Sequence, residues 1–344
     1  MKKFLRYISP LAPDDSGACS VLYELGGITV ICDAGGCAGN VCGFDEPRWF
    51  TKKSALFSAG LRDMDAILGR DDRLVAKLAL AQQQLERDFT AIVGTPVPAV
   101  IATDYKALER MAERKTGVPC ITIQTDGTKL YDKGEEEAYL CLFKKFSQEK
   151  LPTEKGTAAV IGATPLDTGF ITADTIVSQI KAEGFHEVKC IGFDSGLDEV
   201  KNISRFEKVF VISPAGIRVG DYLKEKFSLD VQPHGCPLPE EYTDKLKDLK
   251  NSGRTLIIHQ QMTANAVRDI IGDSVCGTFF MLDKTAAQEG DFHIKDEDDL
   301  AEKAKGFDLI IADISLKRAL LGYKGEWFDL PHFAVSGRTF QNQT

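Results

Sequence analysis

Residues 89–126 read FTAIVGTPVPAVIATDYKALERMAERKTGVPCITIQTD, and in this stretch a helical segment separates two short apolar runs. The runs FTAIVGT (89–95) and CITIQTD (120–126) are rich in β-branched residues and predict strands. Between them, residues 104–117 carry apolar side chains at helical spacing and end in Gly117, with Pro119 just beyond. A strand, a helix and a second strand in this order predict a βαβ unit and a parallel sheet.

The same alternation of strands and helices runs through the rest of the chain. Polar stretches at KLPTEKG and KDLKNSG divide the predicted strands into three groups. The further predicted strands are 27–34 and 54–61 in the first group, 157–163, 188–193 and 208–213 in the second, and 255–260, 275–280 and 308–315 in the third. We therefore predict an α/β fold of three flavodoxin- or Rossmann-like domains, at 1–150, 151–250 and 251–344. Each is a parallel β-sheet flanked by helices, and the three meet at a central cleft.

Composition narrows the classes of function. The 344 residues carry a formal charge of −9, which does not favour a nucleic-acid-binding surface. The apolar start before Pro10 is too short for a signal peptide, and no apolar run approaches the roughly 18 residues of a membrane span. We expect a cytoplasmic protein that binds neither nucleic acid nor membrane. In that reducing compartment the nine cysteines are not expected to form a disulfide framework.

In open parallel sheets, ligands bind beyond the carboxyl ends of the strands. Ser213 and His259 each follow a predicted strand and are candidate residues of a substrate cleft. For His259 the alternative is a structural histidine that is fully hydrogen-bonded. The chain has no glycine-rich dinucleotide or phosphate-binding loop of the usual kind, so no directly bound nucleotide is expected.

Residues 17–44, GACSVLYELGGITVICDAGGCAGNVCGF, hold Cys19, Cys32, Cys37 and Cys42 among many glycines. We expect Cys19 just before a helix, Cys32 at a strand end, and Cys37 and Cys42 in a glycine-rich turn. Soft thiolates in such a setting suit an iron–sulfur cluster. Zinc is less favoured, since the stretch has no C-x-x-C pair and no histidine. The alternative is that these cysteines are small buried apolar residues, which is most plausible for Cys32.

The segment GACSVLYELGGITVICDAGGCAG resembles the P-cluster segment of nitrogenase component 1 proteins. SALFSAGLRDMDAILGRDDRLVAKLALA and FTAIVGTPVPAVIATDYKAL are similar to two further segments of that family, a strand leading to a glycine turn and a strand leading to a helix start. The resemblance covers most of the chain and is specific within residues 1–130.

The resemblance implies a set of ligands. Cys19 and Cys37 fall on the first two cluster cysteines of the family, and the third falls on Thr95. A threonine hydroxyl is a poor iron ligand, so either Cys42 or Cys32 replaces the missing thiol or a partner subunit completes the set. The implied cofactor is an iron–sulfur cluster of the [4Fe–4S] type.

The resemblance also implies partners and a function. Ser213 and Pro214 stand where the family has its cofactor-binding cysteine, so no iron–molybdenum cofactor is expected. The implied protein is a nitrogenase-like reductase subunit, in a homodimer or a heterodimer with a homologous subunit. An ATP-dependent iron protein would supply electrons, and a small molecule would be the substrate. The alternatives are a non-catalytic scaffold or carrier for metal-cluster assembly, and a small-ligand binding protein whose cysteines are incidental.

Overall fold

A computed structural model describes residues 5–169, 171–250 and 252–338. Its strands form three parallel sheets of four, four and five strands with flanking helices, which confirms the predicted fold class. The chain forms two compact units. The first, here the N-terminal unit, comprises Ala12–Thr153 with Ile191–Arg205, and the rest of the described chain forms the C-terminal unit. The predicted domain boundaries stay predictions.

The N-terminal unit contains the first sheet, whose strand order is β2-β1-β3-β4. Its strands are β1 Ile28–Ile31, β2 Ala55–Ser58, β3 Thr90–Val93 and β4 Cys120–Ile123, all within predicted strands. The helices are α1 Asp14–Leu22, α2 Gly36–Asn40, α3 Asp63–Leu68, α4 Asp71–Leu85, α5 Pro96–Val100, α6 Tyr105–Thr116 and α7 Tyr131–Phe146. In this order the chain passes from β1 to the strand at one edge of the sheet and from β3 to the strand at the other edge. A crevice therefore opens between the carboxyl ends of β1 and β3.

Strands β1, β3 and β4 are buried at every position, as expected for a parallel sheet covered on both faces. Apolar residues of α4 and α6 form a core with β1, including Val30, Leu78 and Leu108. Helix α1 packs against α7, and the two helices also contact β1, β3 and β4.

Helices α1 and α7 touch backbone to backbone. A Cβ atom at Gly17 would lie 1.9 Å from the carbonyl oxygen of Tyr131, and one at Gly134 would lie 1.7 Å from that of Asp14. No other residue has room at either position. The contact holds α1 against the sheet at a fixed depth.

The C-terminal unit contains the other two sheets. The second has the order β6-β5-β7-β8, and the third has the order β11-β10-β9-β12-β13. The strands are β5 Glu154–Ile161, β6 Glu187–Cys190, β7 Phe206–Val211, β8 Asp230–Pro233, β9 Thr255–Ile258, β10 Ser274–Thr278, β11 Phe292–His293, β12 Leu309–Ala312 and β13 Glu326–Asp329. The helices of this unit are α8 Pro165–Thr168, α9 Ala173–Ala182, α11 Ile217–Phe227, α12 Glu240–Lys247, α13 Gln261–Ile271, α14 Glu297–Lys303 and α15 Phe333–Ser336. Helix α10, Leu197–Lys201, belongs to the N-terminal unit.

Strands β8, β11 and β13 lie outside the predicted strands, and each is at an edge of its sheet. These three strands are partly exposed, so they lack the continuous apolar run that identifies a buried parallel strand. Within the described residues, no helix combines the length and the apolar character needed to cross a bilayer.

Candidate metal centre

Cys32 follows β1 at the crevice of the first sheet but turns its thiol into the core. Its N–H donates to the Val93 carbonyl at 2.8 Å, and its own carbonyl accepts the Thr95 hydroxyl at 2.8 Å. The side chain belongs to the apolar core between β1 and α4. Burial, followed by the charges of Asp71 and Asp33, raises the pKa of this thiol to about 12. Cys32 therefore lies among apolar side chains.

Cys37 stands on α2, where the sequence predicts only a turn. Gly35 precedes the helix with φ +116°, a conformation that glycine adopts without strain. The Asp33 carboxylate accepts the Ala38 N–H at 2.8 Å and the Ser58 hydroxyl at 2.6 Å, which fixes the start of α2. A π-helical turn, Val41–Asp45, continues the segment and carries Cys42. Both thiols are half-buried.

Cys19 lies inside α1 and is buried, so the prediction that it precedes a helix is wrong. Asp14 and Asp15 lie in the first turn of this buried helix, at the positive end of the helix dipole. Asp15 is four positions before Cys19, so the two side chains share a helix face.

The fold brings Cys19, Cys37 and Cys42 into one neighbourhood together with Asp15. Both Asp15 and Thr95 influence the pKa of the Cys37 thiol, Asp15 by raising it and Thr95 by lowering it. After burial, Asp15 is the largest influence that raises the pKa of both Cys19 and Cys37. Cys42 also raises the pKa of Cys19, which places these two thiols near each other.

The charges of this neighbourhood disfavour free thiolates. Burial, then Asp15 and Asp33, raise the pKa of Cys37 to about 11, and burial, then Glu46 and Asp33, raise that of Cys42. Such thiols are protonated at neutral pH, which does not suit a nucleophilic cysteine. The same carboxylates favour a bound cation, and a cation in turn favours deprotonated thiol ligands.

The donors are not spaced for one ion. Among the described residues, no three His, Cys, Asp or Glu side chains are close enough to surround a single metal. The ligands of a cluster bind different iron atoms and stand further apart than the ligands of one zinc ion. Soft thiol donors are of the type that binds iron–sulfur clusters.

A buried ion network anchors this segment, and nothing in the sequence pattern identifies it. Arg48 donates to Glu46 at 2.7 Å, to Glu24 at 2.9 Å and to the carbonyls of Ser20 and Gly192 at 2.6 and 2.9 Å. Ser20 is adjacent to Cys19, and the Glu46 charge raises the pKa of both the Cys19 and the Cys42 thiol. The network joins α1 to the end of the π-helical turn.

Ser213 follows β7 in the C-terminal unit and is buried. Its hydroxyl accepts the Ala215 N–H at 3.4 Å and caps the short turn Pro214–Gly216. A Cβ atom at Gly162, which follows β5, would lie 2.6 Å from the Ser213 Cβ, so the two loops touch at the crevice of the second sheet. A role for Ser213 toward a substrate stays a prediction.

His259 follows β9 and is also buried. Its Nδ1 accepts the Gln260 N–H at 2.9 Å and its Nε2 lies 3.1 Å from the Pro331 carbonyl, which together define the Nε2–H tautomer. The ring stacks on His332 with centroids 4.0 Å apart. Burial lowers the pKa of His259 to about 4, so the ring is neutral. No sequence pattern indicates His332, and the substrate role of His259 stays a prediction.

Three parallel sheets with flanking helices define an α/β protein, and the first sheet carries thiols and carboxylates near the carboxyl end of β1. The chain belongs to the nitrogenase component 1 type oxidoreductase family, whose sequence model matches residues 17–270. This confirms the family predicted from the cysteine segment.

Two solved structures share the fold. "Nitrogenase Cp1 at pH 5" is similar with a TM-score of 0.73 at 14% identity, over 98% of this chain and 86% of that one. "Nitrogenase Cp1 at pH 6.5" is similar with a TM-score of 0.64 at 14% identity, over 98% of this chain and 79% of that one. No curated protein matches the chain.

Proposed function

We propose that the chain is a nitrogenase-like reductase subunit that holds an iron–sulfur cluster with Cys19, Cys37 and Cys42. The observation that carries the proposal is that the Asp33 charge reaches all three thiols, which come from α1, α2 and the π-helical turn. Cys120 and Cys276, by contrast, lie within strands β4 and β10. Membership of an oxidoreductase family supports a redox role for the convergent thiols.

A rim of exposed apolar side chains supports a dimer with the cluster at its interface. Phe44 and Phe50 are 74% and 76% exposed and belong to the segment that carries Cys37 and Cys42. Val100, at the end of α5 after Thr95, is 84% exposed. Apolar groups concentrated around one site are typical of an interaction surface. The partner in this proposal is a second copy or a homologous subunit.

In this proposal, Cys19, Cys37 and Cys42 bind the iron–sulfur cluster, and the surrounding protein shields it from solvent. When bound, an iron–sulfur cluster supplies one-electron transfer. Cys19 lies deepest in the protein, and Cys37 and Cys42 stand nearer the surface, where electrons enter or leave. We propose that an ATP-dependent iron protein supplies the electrons and that a small molecule accepts them, consistent with the lack of a usual nucleotide-binding loop in the sequence.

Anaerobic purification with iron and acid-labile sulfide analysis tests the cluster. The wild-type protein should contain both, and Cys37→Ser should lose most of both. Cys141→Ser is the matched control, because Cys141 is also half-buried but lies on α7, and it should keep the iron. Wild-type protein from iron-replete anaerobic cells that contains neither iron nor sulfide would contradict the proposal and leave a small-ligand binding protein.

A second measurement separates a reductase from a scaffold. The dithionite-reduced cluster should be reoxidised by a candidate substrate while its iron stays bound to this chain. Transfer of the intact cluster to an acceptor protein, without substrate reoxidation, would instead show a carrier for cluster assembly.

A further inference from the structure

A cavity of about 250 Å³ lies between the edge strand β2 and helix α4 in the N-terminal unit. We infer that it binds a small carboxylate with an apolar tail, of the kind represented by a medium-chain fatty acid. Most of the lining side chains are apolar, among them Val30, Phe57, Leu74, Leu78, Leu80 and Ala81. None of the proposed cluster ligands lines the cavity, so the inference is independent of the proposed function.

Small side chains leave this space open. Val30 packs in the core with α4, and Phe57, its partner in the parallel register, faces the same side of the sheet. Ala59 follows two residues later on that side, and Ala81 of α4 also lines the cavity. Alanine at both positions occupies less volume than the branched side chains of the neighbouring core. A cavity therefore remains between the strand and the helix.

Two of the apolar side chains that line the cavity are in contact with water. Phe57 is 42% exposed and Leu80 is 57% exposed. A single exposed apolar residue is ordinary, but these two border the same concave space. An apolar tail in the cavity would cover both side chains, and removing apolar surface from water is favourable.

A lysine stands at the end of the cavity that is nearest to Ala59. The Lys77 ammonium donates to the Ala59 carbonyl at 2.8 Å, and its other two N–H donors are available to a ligand. In the described parts of the chain no carboxylate lies within ion-pair distance of it, and Asp65 of α3 is paired with Arg73 at 2.6 Å instead. A carboxylate is therefore the complementary head group.

The dimensions of the cavity limit the ligand to a small molecule. Pockets for drug-sized ligands hold roughly 300–1,000 Å³, and this cavity is slightly smaller. Gln84 also lines it and is separated from Lys77 by about 10 Å along the α4 axis. A helix of a partner protein, with a diameter of about 10–12 Å including its side chains, does not fit this space. A single chain of moderate length does.

Isothermal titration calorimetry with butanoate, hexanoate and octanoate tests the inference. The affinity should rise about fourfold for each added CH₂ group, because each one buries further apolar surface. Lys77→Met keeps a long side chain but removes the charge. It should weaken octanoate binding about tenfold and leave the binding of neutral octanamide unchanged. Lys106→Met, at an exposed position on α6, is the matched control and should bind octanoate as the wild type does.

NMR of protein labelled at the alanine methyl groups locates the ligand. Octanoate should shift the signals of Ala59 and Ala81 and leave that of Ala334, in the C-terminal unit, unchanged. Lys77 is exposed, so its variant should fold and keep the test decisive. The inference would be overturned by a lack of saturable octanoate binding, by an affinity independent of chain length, by shifts that miss Ala59 and Ala81, or by equal affinities of Lys77→Met and Lys106→Met.

Discussion

At the residue scale, Arg48 shows how strongly the candidate site depends on a single buried cation. Its side chain is 6% exposed and is paired with Glu24 and Glu46, which are 9% and 1% exposed. Its guanidinium also lies 4.8 Å from the Tyr23 ring centroid, a cation–π contact. Removing Arg48 leaves Glu46 buried without its ion-pair partner, while Glu24 keeps Lys52 at 2.8 Å. An uncompensated buried charge costs more than the pair itself contributes.

We predict that Arg48→Met lowers the free energy of unfolding by about 3–5 kcal/mol, because Glu24 and Glu46 lose their shared partner. Urea denaturation followed by circular dichroism measures this change. The control is Arg70→Met, which removes an exposed pair with Asp72 and should leave the midpoint unchanged. Equal midpoints for both variants would refute the structural role of Arg48.

The stacked pair of His259 and His332 predicts a pH dependence. The folded-state pKa of His259 is lowered by burial to about 4, despite the favourable Asp313 charge, and burial and His259 lower that of His332 further. Below the usual histidine pKa near 6.5, the unfolded chain binds protons that the folded chain excludes. Stability is therefore fully present above pH 6.5 and is lost as the pH falls toward 4.

The loss from His259 alone is about 3 kcal/mol over this range. Urea midpoints at pH 7 and pH 5 should differ for the wild type, and the difference should shrink in His259→Gln. His186→Gln, at an exposed position, should retain the full difference. If His259→Gln leaves the pH dependence of the urea midpoint unchanged, other titratable groups cause that dependence.

The sequence indicates the candidate thiols but not the acids that act on them. Cys19, Cys37 and Cys42 stand out through their glycine-rich context and the family resemblance. Asp15, by contrast, is one of many acids, and its influence on the pKa of Cys37 depends on the folded structure. Effects of that kind depend on tertiary structure, which local patterns do not encode.

At the element scale, the contact between α1 and α7 sets the position of Asp15 and Cys19. Both helices contribute a glycine at the crossing, and each glycine faces a carbonyl of the other helix. The sequence does not reveal this crossing, since neither helix has a strong amphipathic pattern and all nine residues of α1 are buried. Strands β1, β3 and β4, in contrast, are buried at every position and were predicted correctly.

We predict that Gly134→Ala lowers the free energy of unfolding by about 1–3 kcal/mol, because the new methyl group overlaps the Asp14 carbonyl. Gly39→Ala is the matched control, since its Cβ would meet no atom within 4 Å inside α2. It should be neutral or stabilising by up to about 1 kcal/mol. Indistinguishable urea curves for the two variants would contradict the close helix contact.

At the scale of the whole molecule, the sequence predicted three parallel sheets, and the structure has them. Alternating strands and helices allow few topologies, and this explains the agreement. The alternation of strands and helices does not predict association with a partner chain. The proposed dimer is based on exposed apolar side chains, among them Phe44, Phe50 and Val100.

We predict that Phe50→Asp weakens or abolishes the dimer, because it places a charge in an apolar interface. Light scattering of the purified protein should give the mass of a dimer for the wild type and a mass near 37.8 kDa for the variant. Leu321→Asp, at an apolar residue 75% exposed in the C-terminal unit, is the control and should remain dimeric. A monomeric wild type would contradict the interface.

We propose that Cys19, Cys37 and Cys42 hold a redox-active cluster, which electron paramagnetic resonance of the anaerobically purified, dithionite-reduced protein detects. The wild type and Cys141→Ser should show an iron–sulfur signal, and Cys37→Ser should lose it. An iron-free, silent wild type, or an undiminished signal in Cys37→Ser, would contradict it.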